Sequence, residues 1–405
     1  MHPPCLLVLQ IRQERSVPRR NIDLENCARP IMTESVSWIR AMDPRETKLN
    51  ILLIAIPVTL YFNYVEHDSS MAFFSSLAAI MPLAFLMGRA TEEIALRTSE
   101  SLGGLLNATF GNAAELIIAA LLIFEASKVV DVEAQSFYIH LVQASLIGSI
   151  LGNLLLVMGL AFVWGGIHHS EQRYSETQVS SNGSLLLLSM IVLVIPTVFH
   201  STVGGEVGAS RLQDLSHIAA VILLMMYGLF LYFQFRTHVH LFATDGTHHE
   251  NPEMTQRDAV ILLVVATILV SWMAEILVHS VESAAEDFGL PHLFIGVILI
   301  PLFGNAAEHF TAVTVAGKDK MDLSFAISMG SSTQIAVFVA PLMVVFAWLL
   351  EVPLTFEFGM LETVSAFLGV LIVNSIAADG KSNWLEGAML LSAYAVLGAA
   401  FLFHP

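Results

Sequence analysis

FGNAAE occupies Phe110 to Glu115, and the same six residues return at Phe303 to Glu308. Each copy lies in an apolar run long enough to cross a bilayer, where an ionised glutamate is expensive. Glycine in mid-helix costs about 1 kcal/mol relative to alanine, and the neighbouring asparagine favours caps and turns over helix interiors. The pattern predicts a helix broken at the motif, with a second half-helix starting there. Asn112 and Glu115 stand three residues apart, as do Asn305 and Glu308, so each pair can share one face of that half-helix. Pro301 strengthens the second interruption. One copy could be a packing glycine with a glutamate hydrogen-bonded to neighbouring helices. Two copies, each at mid-span, point instead to a functional pair of carboxylates.

The surrounding chain supports a membrane setting. Of 405 residues, 55% are hydrophobic and only 13% charged, which excludes an ordinary aqueous globular protein. Apolar runs predict an all-α membrane protein of eleven transmembrane helices, at roughly 50–66, 71–97, 102–124, 136–165, 183–199, 214–236, 258–283, 293–316, 323–350, 355–378 and 383–403. Both cysteines, Cys5 and Cys27, precede the first of these, so neither a disulfide framework nor a thiolate metal cluster is expected in the body. The net charge of −17 is spread over short loops and helix interiors, with no nucleic-acid partner indicated. The first twenty residues read as a cytosolic tail rather than a signal peptide, because Arg12 closes a short apolar run at once.

Lys and Arg concentrate on the cytosolic side of short loops. Alternating the loops puts sixteen of the eighteen on the side of the N-terminal tail; only Lys128 and Arg211 fall opposite. The expectation is a cytosolic N-terminus and, with an odd number of spans, a luminal C-terminus. The motif falls in the third and the eighth helix, so the repeat unit is five spans and its second copy is inverted. Gly103 and Gly296 stand at equal distances before the two motifs. The expected organisation is a tail (1–49), an extra first helix (50–66), a first five-helix repeat (71–236), a cytosolic linker (237–257) and a second repeat (258–403). Inverted repeats of this kind build one central site from two halves in secondary transporters.

Two carboxylates flanked by amide oxygens form an all-oxygen ligand set, suited to calcium or a similar hard divalent ion and unsuited to zinc or copper. A carboxylic acid in an apolar surround prefers its neutral form. Metal and protons then compete for the same oxygens, and competition at an alternating-access site is exchange.

These segments resemble the calcium/proton exchanger family, within the calcium/cation antiporter superfamily. The resemblance runs from Asn50 to Phe403 and is most specific in GGLLNATFGNAAELIIA (103–119) and LFGNAAEHFTA (302–312). QASLIGSILGNLLLV (143–157) and SMGSSTQIAVFVAP (328–341) are similar to the family's polar segments in the partner helices. The resemblance implies calcium held between Glu115 and Glu308, with Asn112, Asn305 and Gln334 nearby. It also implies an acidic intracellular compartment, usually a vacuole. Many relatives carry a strongly acidic helix between the halves, whereas Phe235 to Asp258 mixes four acids with His238, His240, His248 and His249. The sodium-exchanging branch usually has threonine or serine in place of the motif asparagine, and that difference favours protons as counter-ion.

The partner helices offer further candidates. Gln143, Ser149 and Asn153 precede or enter one polar segment, and Ser331, Ser332 and Gln334 the other, where they could complete the ligand shell or only pack. Glu93 and Glu275, one helix upstream of each motif, could relay protons or gate the path, or else be helix-end acids facing water. His309 follows Glu308 and points to another face of the helix, which suits a proton path better than a ligand. No HExxH pair is present, so an intramembrane metalloprotease is a weak alternative and no cofactor is expected. A divalent-cation channel and a sodium-coupled exchanger are the nearer rivals. Oligomeric state is not readable from this sequence.

Overall fold

The computed structural model describes residues 36–98, 100–203, 206–239 and 252–404. Cys5, Cys27 and the central linker residues His240, Asp245, His248, His249 and Glu250 lie outside the described residues. Among those described, nine helices are long and apolar enough to cross a membrane, or ten if one sharply bent pair counts as a single span. In chain order the helices are α1 (Lys48–Glu66), α2 (Ser69–Ala95), α3 (Glu100–Gly111), α4 (Ala113–Lys128), α5 (Val132–His168), α6 (Glu176–Thr202) and α7 (Ser210–Thr237). They continue with α8 (Gln256–Phe288), α9 (His292–Gly304), α10 (Ala306–Ala316), α11 (Met321–Leu349), α12 (Met360–Asp379) and α13 (Trp384–Phe403). After α1, the order of long helix, interrupted helix, long buried helix and two further helices occurs twice.

Local chemistry sets the ends. Asp68 accepts from the Met71 amide at the start of α2, Asp131 from the Ala134 amide at the start of α5, and Thr255 from the Asp258 amide at the start of α8. Each cap satisfies one of the amides that a helix N-terminus leaves unpaired. Gly289, at φ +60°, closes α8 in a left-handed conformation that an unbranched backbone adopts freely. Asn383 and Glu386 form a reciprocal capping box on α13.

Helices α5 and α11 form the centre. Every residue from Leu141 to Leu155 is buried, the signature of a helix surrounded on all sides by others. Both helices contain a π-helical segment, Gly152–Val157 in α5 and Ile335–Val339 in α11. These wider turns re-aim side chains and recur at functional sites. On the face that carries the tail, the strand pair β1 (Gln172–Arg173) and β2 (Lys381–Ser382) joins the α5–α6 and α12–α13 connections.

The span expected at 355–378 starts later, at Met360. Residues 351–359, EVPLTFEFG, form no helix, and Val352, Leu354, Phe356 and Phe358 are buried in alternation. Pro353 cannot donate a helical hydrogen bond, and an every-other-residue apolar pattern suits extended backbone over a helix. This segment is a strap across the face opposite the tail.

Candidate functional site

Both motifs break their helices. Asn112 has φ −98° and ψ 21°, and Asn305 has φ −92° and ψ 7°, so each asparagine leaves the helical region between two half-helices. The bend between α9 and α10 is 60°. Glu115 and Glu308 lie in the first turn of α4 and α10 respectively, where the helix N-terminus favours negative charge. The two copies meet: the Glu308 carboxylate lies beside Gly111 of the first motif, where a Cβ would come within 3.5 Å of its Oε1. Glycine at that position leaves the carboxylate uncovered. Glu308 is close enough to Glu115 for its charge to act there.

The asparagines are held by the central helices in a crossed arrangement. Asn305 donates to the Ser149 hydroxyl of α5 at 3.1 Å. Asn112 accepts from the Ser331 hydroxyl of α11 at 3.1 Å and donates to the Gln334 amide oxygen at 2.7 Å. Ser149 and Ser331 each follow a glycine, Gly148 or Gly330, and each stands shortly before its helix's π-segment. Asn153 of α5 then donates to Ser331 at 3.0 Å, linking the two central helices directly. Ser331 also lies within hydrogen-bonding reach of Glu308.

What remains uncapped is a set of oxygens. Both carboxylate oxygens of Glu115, Oε2 of Glu308, and the amide oxygens of Asn305 and Asn153 are buried without a hydrogen-bond partner. Unpaired buried acceptors are costly unless something else satisfies them. A cavity of about 10 Å³, room for one water at most, lies between Glu115, Ser145, Ser149, Pro301 and Gly304. Five uncapped oxygens and no nearby lysine or arginine among these contacts suit a hard cation, or protons on the carboxylates in its absence.

The other sequence candidates are placed elsewhere. Glu93 is buried at the tail-side end of α2, where its two oxygens accept from the Glu253 and Met254 amides at 2.9 and 3.1 Å. It clasps the end of the linker to α2, helped by an Arg89–Glu253 ion pair at 3.0 Å. Glu275 points outward on α8. The exposed stripe of that helix reads Val260, Val264, Ile268, Trp272, and then Glu275, His279, Glu282, Glu286. The change at Trp272, whose indole donates to the Tyr64 hydroxyl at 3.2 Å, has the form of a membrane boundary. Glu275 is thus exposed on the outer face of α8, away from the paired carboxylates. Gln143 also leaves the site: its amide donates to the Thr355 and Glu357 carbonyls of the strap at 3.0 and 2.8 Å. His309 follows Glu308 into the buried interior, and its Nε2 has no partner.

The fold and this paired-carboxylate centre define a helical membrane protein of ion-exchanger type. The chain belongs to the family described as sodium/calcium exchanger protein, which matches residues 69–236 and 259–403. It is 45% identical over 369 residues to a Ca(2+)/H(+) antiporter of Aphanothece halophytica, covering 87% of this chain and 96% of that one. A vacuolar calcium ion transporter of Schizosaccharomyces pombe is 36% identical over 360 residues, covering 88% and 85%. The solved structure of native YfkE superposes with a TM-score of 0.75 at 36% identity, covering 88% of this chain and all of that one.

Proposed function

We propose that this protein exchanges calcium for protons across the membrane of an acidic organelle, by alternating access at a midplane site. The observation that carries the reading is the meeting of Glu115 and Glu308, one from each motif, with unpartnered buried oxygens around them. The names of the relatives, a Ca(2+)/H(+) antiporter and a vacuolar calcium ion transporter among them, support the choice of ions and compartment.

In this reading the eleven spans are α1 and two inverted repeats, α2–α7 and α8–α13, with the α3–α4 and α9–α10 pairs each counted as one crossing. Glu115 and Glu308 bind calcium, Asn305 contributes its free amide oxygen, and Asn112 is oriented by Ser331 and Gln334. Protonation of both carboxylates removes the charge that holds calcium and leaves a neutral site able to turn. His309, adjacent and unpaired, is a candidate carrier for a third proton. The tail face is cytosolic, and the strap and the C-terminus face the lumen.

Purified protein in liposomes tests this. Calcium uptake should follow an imposed pH gradient without sodium, with protons leaving as calcium enters. Calcium flux without proton movement would indicate a channel, and a requirement for sodium would indicate the other branch of the family.

A further inference from the structure

A cavity of about 940 Å³ opens on the face opposite the tail. It is lined by the start of α5, the α8–α9 connection, the strap and the start of α12, and its inner wall includes Gln143 and Ala144. The small cavity beside Glu115 begins at the next residue, Ser145. Between the two, α5 and α9 are in backbone contact. A Cβ on Gly148 would collide with the Val297 backbone, and one on Gly296 would come to 2.5 Å from the Ala144 Cβ. The vestibule thus stops one helical turn short of the carboxylate, at a gate made of two small-residue contacts.

The strap is tied to α5, α6 and α7. The Phe356 amide donates to Ser216 of α7 at 3.0 Å, and the Phe358 amide to Thr197 of α6 at 3.2 Å. Glu357 stands 3.4 Å from His200 of α6. Four buried apolar side chains fix the strap's underside. Its tie to α5 is Gln143, 5% exposed, which commits both amide hydrogens to strap carbonyls. These two hydrogen bonds aim the amide group at the strap, and the residue directly precedes Ala144 of the gate.

We propose that Gln143 is a positioning residue, which braces the vestibule half of α5 against the strap so that α9 closes on a fixed surface. Opening toward the vestibule then requires the brace to yield. The proposal rests on the alternating-access reading above.

One-sided cysteine labelling tests it. Cys5 and Cys27 are the only native cysteines, so a Cys5→Ser, Cys27→Ser background is clean. In that background, Ser145→Cys reports on the gate, and Glu171→Cys, exposed on the tail face, reports on the opposite side. Adding Gln143→Leu should raise the rate at which a membrane-impermeant thiol reagent on the vestibule side modifies position 145. Two lost hydrogen bonds correspond to roughly a thirtyfold increase, with no change at position 171. Thr197→Val with Ser216→Ala loosens the same strap from α6 and α7 and should act in the same direction, should Gln143→Leu fail to insert. Unchanged reactivity at 145 in both backgrounds, with proton-driven calcium uptake intact, overturns the brace. A rise at 145, where the parent protein without any substitution shows no proton-driven uptake, keeps the brace and overturns the exchange reading instead.

Discussion

Replacing Glu115 or Glu308 by glutamine keeps the shape of each side chain and removes the charge that a divalent ion must meet. Either change is predicted to lower calcium uptake by roughly a hundredfold or more, equivalent to about 3 kcal/mol, at equal abundance in the membrane. Near-normal uptake by either variant would dismantle the paired site. The serines act more gently. Ser149→Ala and Ser331→Ala each remove one hydrogen bond from a motif asparagine, so apparent calcium affinity should weaken about fivefold, with protein levels unchanged. Protons supply the third expectation at this scale. Calcium must displace protons from the carboxylates, so its apparent affinity falls as pH falls, by up to about a hundredfold per unit when two protons compete. Radiocalcium binding to detergent-solubilised protein between pH 8 and pH 5 measures this, and a flat profile would mean that protons do not share the site. The motif glutamates and asparagines were legible in the sequence because they were repeated. Ser331 and Asn153 were not distinguishable from packing residues, since small polar side chains occur throughout membrane helices and only the crossed hydrogen bonds reveal their use. Gln143 lay in a segment read as site-forming, yet its amide faces a loop more than two hundred residues away.

Among the elements, the breaks at Asn112 and Asn305 followed from Gly-Asn alone. The π-segments did not, because a single extra residue per turn leaves no mark in hydropathy. The strap was misread as the start of a span, since hydropathy counts apolar residues without regard to their alternation. Close contact between α5 and α9 depends on Gly148, whose place cannot hold even a methyl group without displacing Val297. Gly148→Ala should therefore destabilise the protein by roughly 1–3 kcal/mol and reduce transport. Gly152→Ala, with nothing within 4 Å among the described residues, should be close to neutral. Thermal unfolding followed by tryptophan fluorescence separates the two, and equal behaviour would show that the α5–α9 contact is not a tight one.

For the whole molecule, the distribution of basic residues and the odd number of proposed crossings argue for the proposed orientation. In sealed organelles a tag at the N-terminus should be open to protease and one after Pro405 protected; protection of both or of neither would rule out an odd count. In the proposed setting the proton gradient sets the direction of transport, with calcium moving into an acidic lumen as protons leave. Each pH unit supplies ~1.4 kcal/mol per proton. Two protons over a two-unit gradient therefore supply ~5.5 kcal/mol, enough for roughly ten-thousandfold accumulation. The most direct measurement is calcium uptake into proteoliposomes that are acidic inside, without sodium, recorded together with internal pH. Calcium should accumulate while the interior becomes less acidic, and a protonophore that dissipates the pH gradient and the membrane potential should abolish the uptake. Uptake that survives the protonophore, or that appears only when sodium is added, would contradict exchange of calcium for protons at Glu115 and Glu308.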